Sequence, residues 1–85
     1  MDEQDARLPR IDMRCSELVG EHSLTPREAE VLALLARGRN AAYIQESLTL
    51  SSNTVKSYVA RVYNKLDVHS HQELIDLVEE KGLTD

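Results

Sequence analysis

Between Ser51 and Leu66 the sequence holds three cations, Lys56, Arg61 and Lys65, and no Asp or Glu. Beside them stand short hydroxyl and amide side chains: Ser51, Ser52, Asn53, Thr54, Ser57 and Asn64. Such residues donate hydrogen bonds and carry positive charge, which suits contact with a polyanion. Turning the run as a helix at ~100° per residue, with Asn53 as zero, sorts it into two faces. Val55, Val59, Val62 and Leu66 fall at about 200, 240, 180 and 220°, whereas Lys56, Ser57, Ala60 and Asn64 fall at about 300, 40, 340 and 20°. Arg61 and Lys65 flank the second face, at about 80 and 120°. One side is therefore apolar and largely β-branched; the other is short, polar and cationic. Small residues there let the helix come close to another surface. The major groove of B-DNA, about 12 Å wide, admits a helix of this kind, where acidic side chains would be repelled by phosphate. A solvated helix back is the alternative reading, but such backs commonly carry acids, and this chain is rich in acids elsewhere.

Other chemistry is sparse. His69, His71 and the distant Cys15 do not compose a metal set, because no Cys pair or carboxylate spacing completes them. No nucleophile–base pairing, glycine-rich phosphate loop or HExxH motif occurs, so the chain reads as a non-enzyme without a cofactor. Tyr43, Tyr58 and Tyr63 could stack on bases. In a chain without Trp or Phe they are better read as packing groups with hydroxyls at the rim. The single cysteine allows no internal disulfide and fits a reducing compartment, here the cytoplasm.

The elements that would position these residues are all helical. Residues 1–10 are polar and end in Pro9, and read as a tail or linker. Ile11, Cys15, Leu18 and Val19 have helical spacing over 11–21, with Gly20 as a stop. Thr25-Pro26-Arg27-Glu28 is a capping box with proline at the first helical position. The helix it opens carries Val31, Leu32 and Leu35 and stops at Gly38. Asn40 caps a short helix with Ile44 and Leu48 on its buried side. Thr49-Leu50 forms a tight connection, and Ser51 caps the helix to about Leu66. Ser70-His71-Gln72-Glu73 is a second capping box, opening a helix with Leu74, Ile75, Leu77 and Val78 that ends at Gly82. No run alternates with period two, so no strand is expected. The resulting expectation is an all-α fold: a small four-helix domain at 24–82 containing a helix-turn-helix, preceded by a tail or linker with a short extra helix at 1–23. Two helices joined by a short turn place the second, about 52–66, in the major groove. The Ser51–Thr54 cluster at its N-terminus suits phosphate.

Eighty-five residues, 41% apolar and 29% charged, make room for one small domain and no transmembrane helix, and the acidic start is no signal peptide. The net charge of −5 argues against a nucleic-acid partner until it is divided along the chain. Residues 1–30 hold eight acids against four arginines; residues 31–66 hold five cations against Glu46 alone; residues 67–85 hold six acids against Lys81. A basic middle lies between acidic ends, as a local phosphate-binding surface requires.

The ordered residues Leu24-Thr25-Pro26-Arg27-Glu28, Val31-Leu32, Leu35-Ala36, Gly38, Asn40, Ile44, Leu48, Leu50-Ser51, Thr54-Val55-Lys56, Lys65-Leu66 and Val68 closely resemble the C-terminal DNA-binding domain of LuxR/GerE-type transcriptional regulators. The resemblance covers roughly residues 24–80. It implies a four-helix domain whose third helix reads the major groove and whose fourth supports dimerisation. By position it implies base contacts from Lys56, Ser57 and Ala60, with phosphates held by Thr54, Asn53 and Asn40. Together with the residues' own chemistry, this gives Lys56, Ser57, Ala60 and Asn64 as base contacts. Asn40, Ser51, Ser52, Asn53, Thr54, Arg61 and Lys65 are the phosphate contacts. The sequence departs from the family pattern at Gln45 (usually Ala), Tyr58 (commonly His), Asp67 (commonly Gly) and His71 (frequently Arg). Gln45 must turn outward or loosen the turn, and Asp67 tolerates left-handed backbone better than most residues. Ala60 can only touch a thymine methyl, so Arg61 or Asn64 would compensate.

On the last helix Leu74, Leu77, Ile75 and Val78 span a stripe ~160° wide, more than the ~100° that covers one core. Either a twin helix meets the excess, making Leu74, Leu77, Val78 and Lys81 a dimer face, or residues 11–21 cover it. Two functions follow. The first is sequence-specific binding of double-stranded DNA as the output domain of a transcription regulator, paired on DNA and presented beside RNA polymerase. The alternative is a helical protein-interaction module using its acidic ends, with no DNA role. The first predicts a positive face around Lys56 and Arg61, the second does not.

Overall fold

The computed structural model describes the backbone of residues 3–83 and the side chains of residues 13–79. Five helices follow one another: α1 (Glu3–His22), α2 (Pro26–Ala36), α3 (Ala41–Leu48), α4 (Ser52–Leu66) and α5 (His71–Leu83). No strand occurs among the described residues. The all-α expectation and the four helices after residue 24 agree with this order.

The starts of the helices follow from single side chains. Thr25 Oγ1 accepts from Glu28 N–H, and the Glu28 carboxylate accepts from Thr25 N–H at 2.9 Å, closing both halves of the capping box. Asn40 Oδ1 accepts from Tyr43 N–H, and Ser51 Oγ from Thr54 N–H. At α5 only half of the expected box forms. Ser70 Oγ accepts from Glu73 N–H, but Glu73 reaches back to His69 N–H rather than to Ser70.

The ends share one device. Leu24, Arg39, Leu50 and Val68 each donate a backbone N–H to the carbonyl five residues earlier, at 3.0–3.1 Å. The residue before each of them, Ser23, Gly38, Thr49 and Asp67, is left-handed, with φ of 55, 84, 55 and 57°. These four closures satisfy carbonyls that a helix end otherwise leaves unpaired. Gly38 and Asp67 do what their residue types allow. Gly20 does not stop α1, which runs on to the left-handed Ser23, and α5 passes through Gly82 to Leu83. The short helix expected at 11–21 is instead the 20-residue α1, helical through Pro9, so residues 3–10 of the expected tail join the first helix; residues 1–2 lie outside the described residues.

Thr49 is the costly closure, because a β-branched side chain crowds a left-handed backbone. Its side chain is exposed, so nothing is lost by changing it. Thr49→Asn is expected to stabilise the domain by about 0.5–1 kcal/mol, read as a higher urea midpoint at unchanged slope. A lower midpoint would show that Thr49 is not strained.

The core is aliphatic. Leu18, Val31, Leu32, Ile44, Val55, Val62 and Leu74 are fully buried, joined by Cys15, Leu24, Leu35, Leu66 and Val78. α4 lies against α2, α3 and α1, and α1 covers both α2 and α5. The apolar side of α4 is thereby consumed: Val55 and Val62 are fully buried, Leu66 nearly so, and Val59 half-buried. What α4 keeps for solvent is its short, cationic side.

Candidate nucleic-acid interface

Each residue expected at base edges is exposed: Lys56, Ser57, Ala60 and Asn64 all lie on the outward side of α4. Asn53 and Arg61 are exposed beside them. Among the described residues neither Lys56 nor Arg61 has a carboxylate partner. Their positive charge is therefore not neutralised within the described fold.

The N-terminus of α4 leaves several donors unused. Ser51 Oγ accepts from Thr54 N–H and donates its own proton to Thr54 Oγ1 at 2.9 Å. The Thr54 hydroxyl thus keeps its hydrogen for an outside acceptor. The first N–H groups of a helix, here those of Ser52 and Asn53, have no intrahelical acceptor. Asn40 spends only Oδ1 on its cap, which leaves the amide N–H₂ to donate. Exposed N–H and O–H donors at a helix start suit phosphate oxygens.

Lys65 departs from its expected place. Its Nζ donates to Glu28 Oε1 at 2.8 Å and to the Ser23 carbonyl at 3.2 Å. It ties the end of α4 to the α1–α2 junction instead of facing phosphate. The Glu28 side chain is 3% exposed, and the Lys65 ammonium with the Thr25 N–H holds its carboxyl below the usual range against the opposing effect of burial. The basic middle of the sequence is thus smaller in space than along the chain. Of its five cations, Lys65 is compensated from below.

The dimer stripe is also divided. Leu74 and Val78 are buried in the chain's own core at 0 and 2% exposure, because α1 and α2 cover that side of α5. Leu77 is half-buried, and the Lys81 side chain lies outside the described residues. Tyr58 and Tyr63 pack on the core as expected, and burial raises the Tyr63 hydroxyl pKa. Tyr43 does not: it is 42% exposed, with the Arg39 guanidinium 4.7 Å from its ring centroid. Sequence reasoning passed over Arg39, although the i,i+4 spacing of an arginine and a tyrosine was the signal for it. Gln45 turns half outward, and His71, whose Nε2–H donates to the Leu35 carbonyl at 2.7 Å, fastens α5 to the end of α2.

Residues 22–78 match the family described as bacterial regulatory proteins, luxR family (GerE). Among curated relatives, the chain is 42% identical over 59 residues to the transcriptional regulatory protein DesR of Bacillus subtilis (strain 168), covering 69% of this chain and 30% of that protein. It is 43% identical over 60 residues to the transcriptional activator protein ExaE of Pseudomonas putida, covering 71% of this chain and 28% of ExaE. To the response regulator UvrY of Escherichia coli (strain K12) it is 38% identical over 61 residues, or 72% of this chain and 28% of UvrY. The matched part is thus under a third of each of these relatives. No solved structure gives a significant match.

Proposed function

The chain belongs to the luxR family of bacterial regulatory proteins as one of its DNA-binding helix-turn-helix domains, and we propose that α4 is the helix that enters the major groove. Lys56, Ser57, Ala60 and Asn64 face base edges. Asn40, Ser51, Ser52, Asn53, Thr54 and Arg61 meet phosphates. The observation that carries this reading is the division of α4: its valines are spent on the core, and its outward side is exposed, small at Ser57 and Ala60, and free of carboxylates from 51 to 66. A helix so built can approach a groove wall without repulsion.

The larger role is that of the output end of a cytoplasmic transcription regulator, bound as a pair beside RNA polymerase. The relatives' names, a transcriptional activator and a response regulator among them, support that role. A pair would meet on the part of α5 that α1 and α2 leave open, where Leu77 stays half-exposed.

Selection of bound sequences from a random duplex pool tests the reading. It is expected to enrich one motif, repeated at about 10 bp where two copies bind together. Affinity for the winner should fall with salt, with a log–log slope of about −2 to −4 per copy, set by the few uncompensated cations. A pool that emerges unenriched would refute sequence-specific binding.

A further inference from the structure

Four arginines among the described residues are held in two different ways. Arg14 on α1 pairs with the Glu17 carboxylate at 3.1 Å, and Arg27 on α2 with that of Glu30 at 3.2 Å. Two others, at and beside the helix-turn-helix, lie on rings. Arg39 lies 4.7 Å from the Tyr43 centroid, and Arg61 lies 5.6 Å from that of Tyr58. The distinction matters physically. A carboxylate fixes a guanidinium and cancels its charge. An aromatic face fixes it and leaves both the charge and the N–H edges available.

We propose that Tyr58 is a positioning residue that holds the Arg61 guanidinium towards the sugar–phosphate wall of the groove entered by α4. The proposal rests on the groove reading above and deepens it. Tyr58 is half-buried and packed against the core, so its ring is anchored from beneath. On the helix it falls at about 140°, between the valine stripe and the outward side, with Arg61 at about 80°. Arg61 is exposed, and the ring is its one polar or charged contact among the described residues. An arginine already restrained on a ring has less conformational freedom to lose when it meets phosphate, so affinity gains without a new contact.

The test is a double-mutant cycle on the 85-residue chain, titrated against its selected duplex and a scrambled one at two salt concentrations. Tyr58→Phe keeps the ring and is expected to bind within twofold of the unchanged chain. Tyr58→Leu keeps apolar packing but loses the ring, and should weaken binding about two- to fivefold on both duplexes, leaving their ratio and the salt slope unchanged. Arg61→Gln should weaken both and lower the salt slope by about one. In the Arg61→Gln background Tyr58→Leu should then have no further effect. Equal binding by Tyr58→Leu and the unchanged chain, or an undiminished Tyr58→Leu effect without Arg61, overturns the proposal. The ring contact is read independently of any variant's folding, as an upfield ring-current shift of the Arg61 side-chain protons; its absence also overturns the proposal. Failure of the unchanged chain to bind the selected duplex overturns the groove reading, and the positioning role falls with it.

Discussion

Lys65→Met is expected to destabilise the domain by about 2–3 kcal/mol at neutral pH, lowering its melting temperature by roughly 10–20 °C. Lys65 Nζ sits 2.8 Å from a Glu28 carboxylate that is almost wholly buried, and bonds the Ser23 carbonyl as well. Methionine keeps the unbranched stem, so packing changes little and the charge is what is lost. The buried carboxylate then keeps only what Thr25 offers, chiefly the bond from its N–H. Removing the charge from the other end should cost less. Glu28→Gln still accepts from Thr25, and the stranded Lys65, 35% exposed, can turn to water. An effect of about 1–2 kcal/mol is expected there. For a domain of this length, with some 4–12 kcal/mol in all, either change is a large share.

Acid titration separates this account from a packing effect. The Glu28 pKa is lowered in the fold, chiefly by the Lys65 hydrogen bond. A carboxylate with a depressed folded pKa stabilises above its unfolded value, near 4.5 here, and that stabilisation is lost as pH falls through the folded value. The unchanged chain should therefore weaken below about pH 4.5. Lys65→Met lacks the main cause of the lowering while burial still raises the pKa, so its profile should be flatter. The gap between the two chains should close towards acid. A gap that stays constant from pH 7 to pH 3 would mean that the ion pair contributes nothing and that the methionine merely packs badly.

The reach of the sequence follows the range of the interactions. Caps were legible at Thr25, Asn40, Ser51 and Ser70, because each is a side chain bonding a backbone N–H three residues away. The two sides of α4 were legible too, since a helix of fifteen residues repeats its pattern over four turns. Helix ends were harder. Gly20 and Gly82 have the residue type of a stop, yet the turn that closes α1 is built on Ser23, a residue type with no strong preference for it. The partner of Lys65 was not legible, because Glu28 is 37 residues away and only packing of α4 on α2 brings them together. The covering of α5 is ambiguous in the sequence for the same reason. Its stripe is equally apolar whether the chain's own helices or a twin helix lies on it; the fold puts α1 and α2 over Leu74 and Val78 and leaves Leu77 half-buried.

That same placement of α4 makes Lys56 the side chain whose loss should be felt most in binding. It stands one turn inside the Ser51 cap, exposed, with Ser57 and Ala60 beside it too short to keep the helix away from a base edge. Two roles are open to such a lysine, and they have different signatures. A phosphate contact removed by Lys56→Ala weakens binding to every duplex alike. A base contact, donated to guanine O6 and N7, costs between about fivefold and a hundredfold on the selected duplex and far less on a scrambled one. The second outcome is expected, because the small neighbours matter only where the helix goes deep. Both roles lower the salt slope by nearly one, so the ratio between duplexes, rather than the slope, decides. Folding should be untouched, since an exposed side chain without a partner among the described residues leaves the core and the caps as they were. Lys56→Gln adds a sharper measure. An amide pairs with adenine where a lysine prefers guanine, so repeating the selection with that variant should move the enriched base at a single position of the motif. Enrichment of the same motif by both chains would remove Lys56 from the bases and leave Asn64 and Ser57 to do the reading.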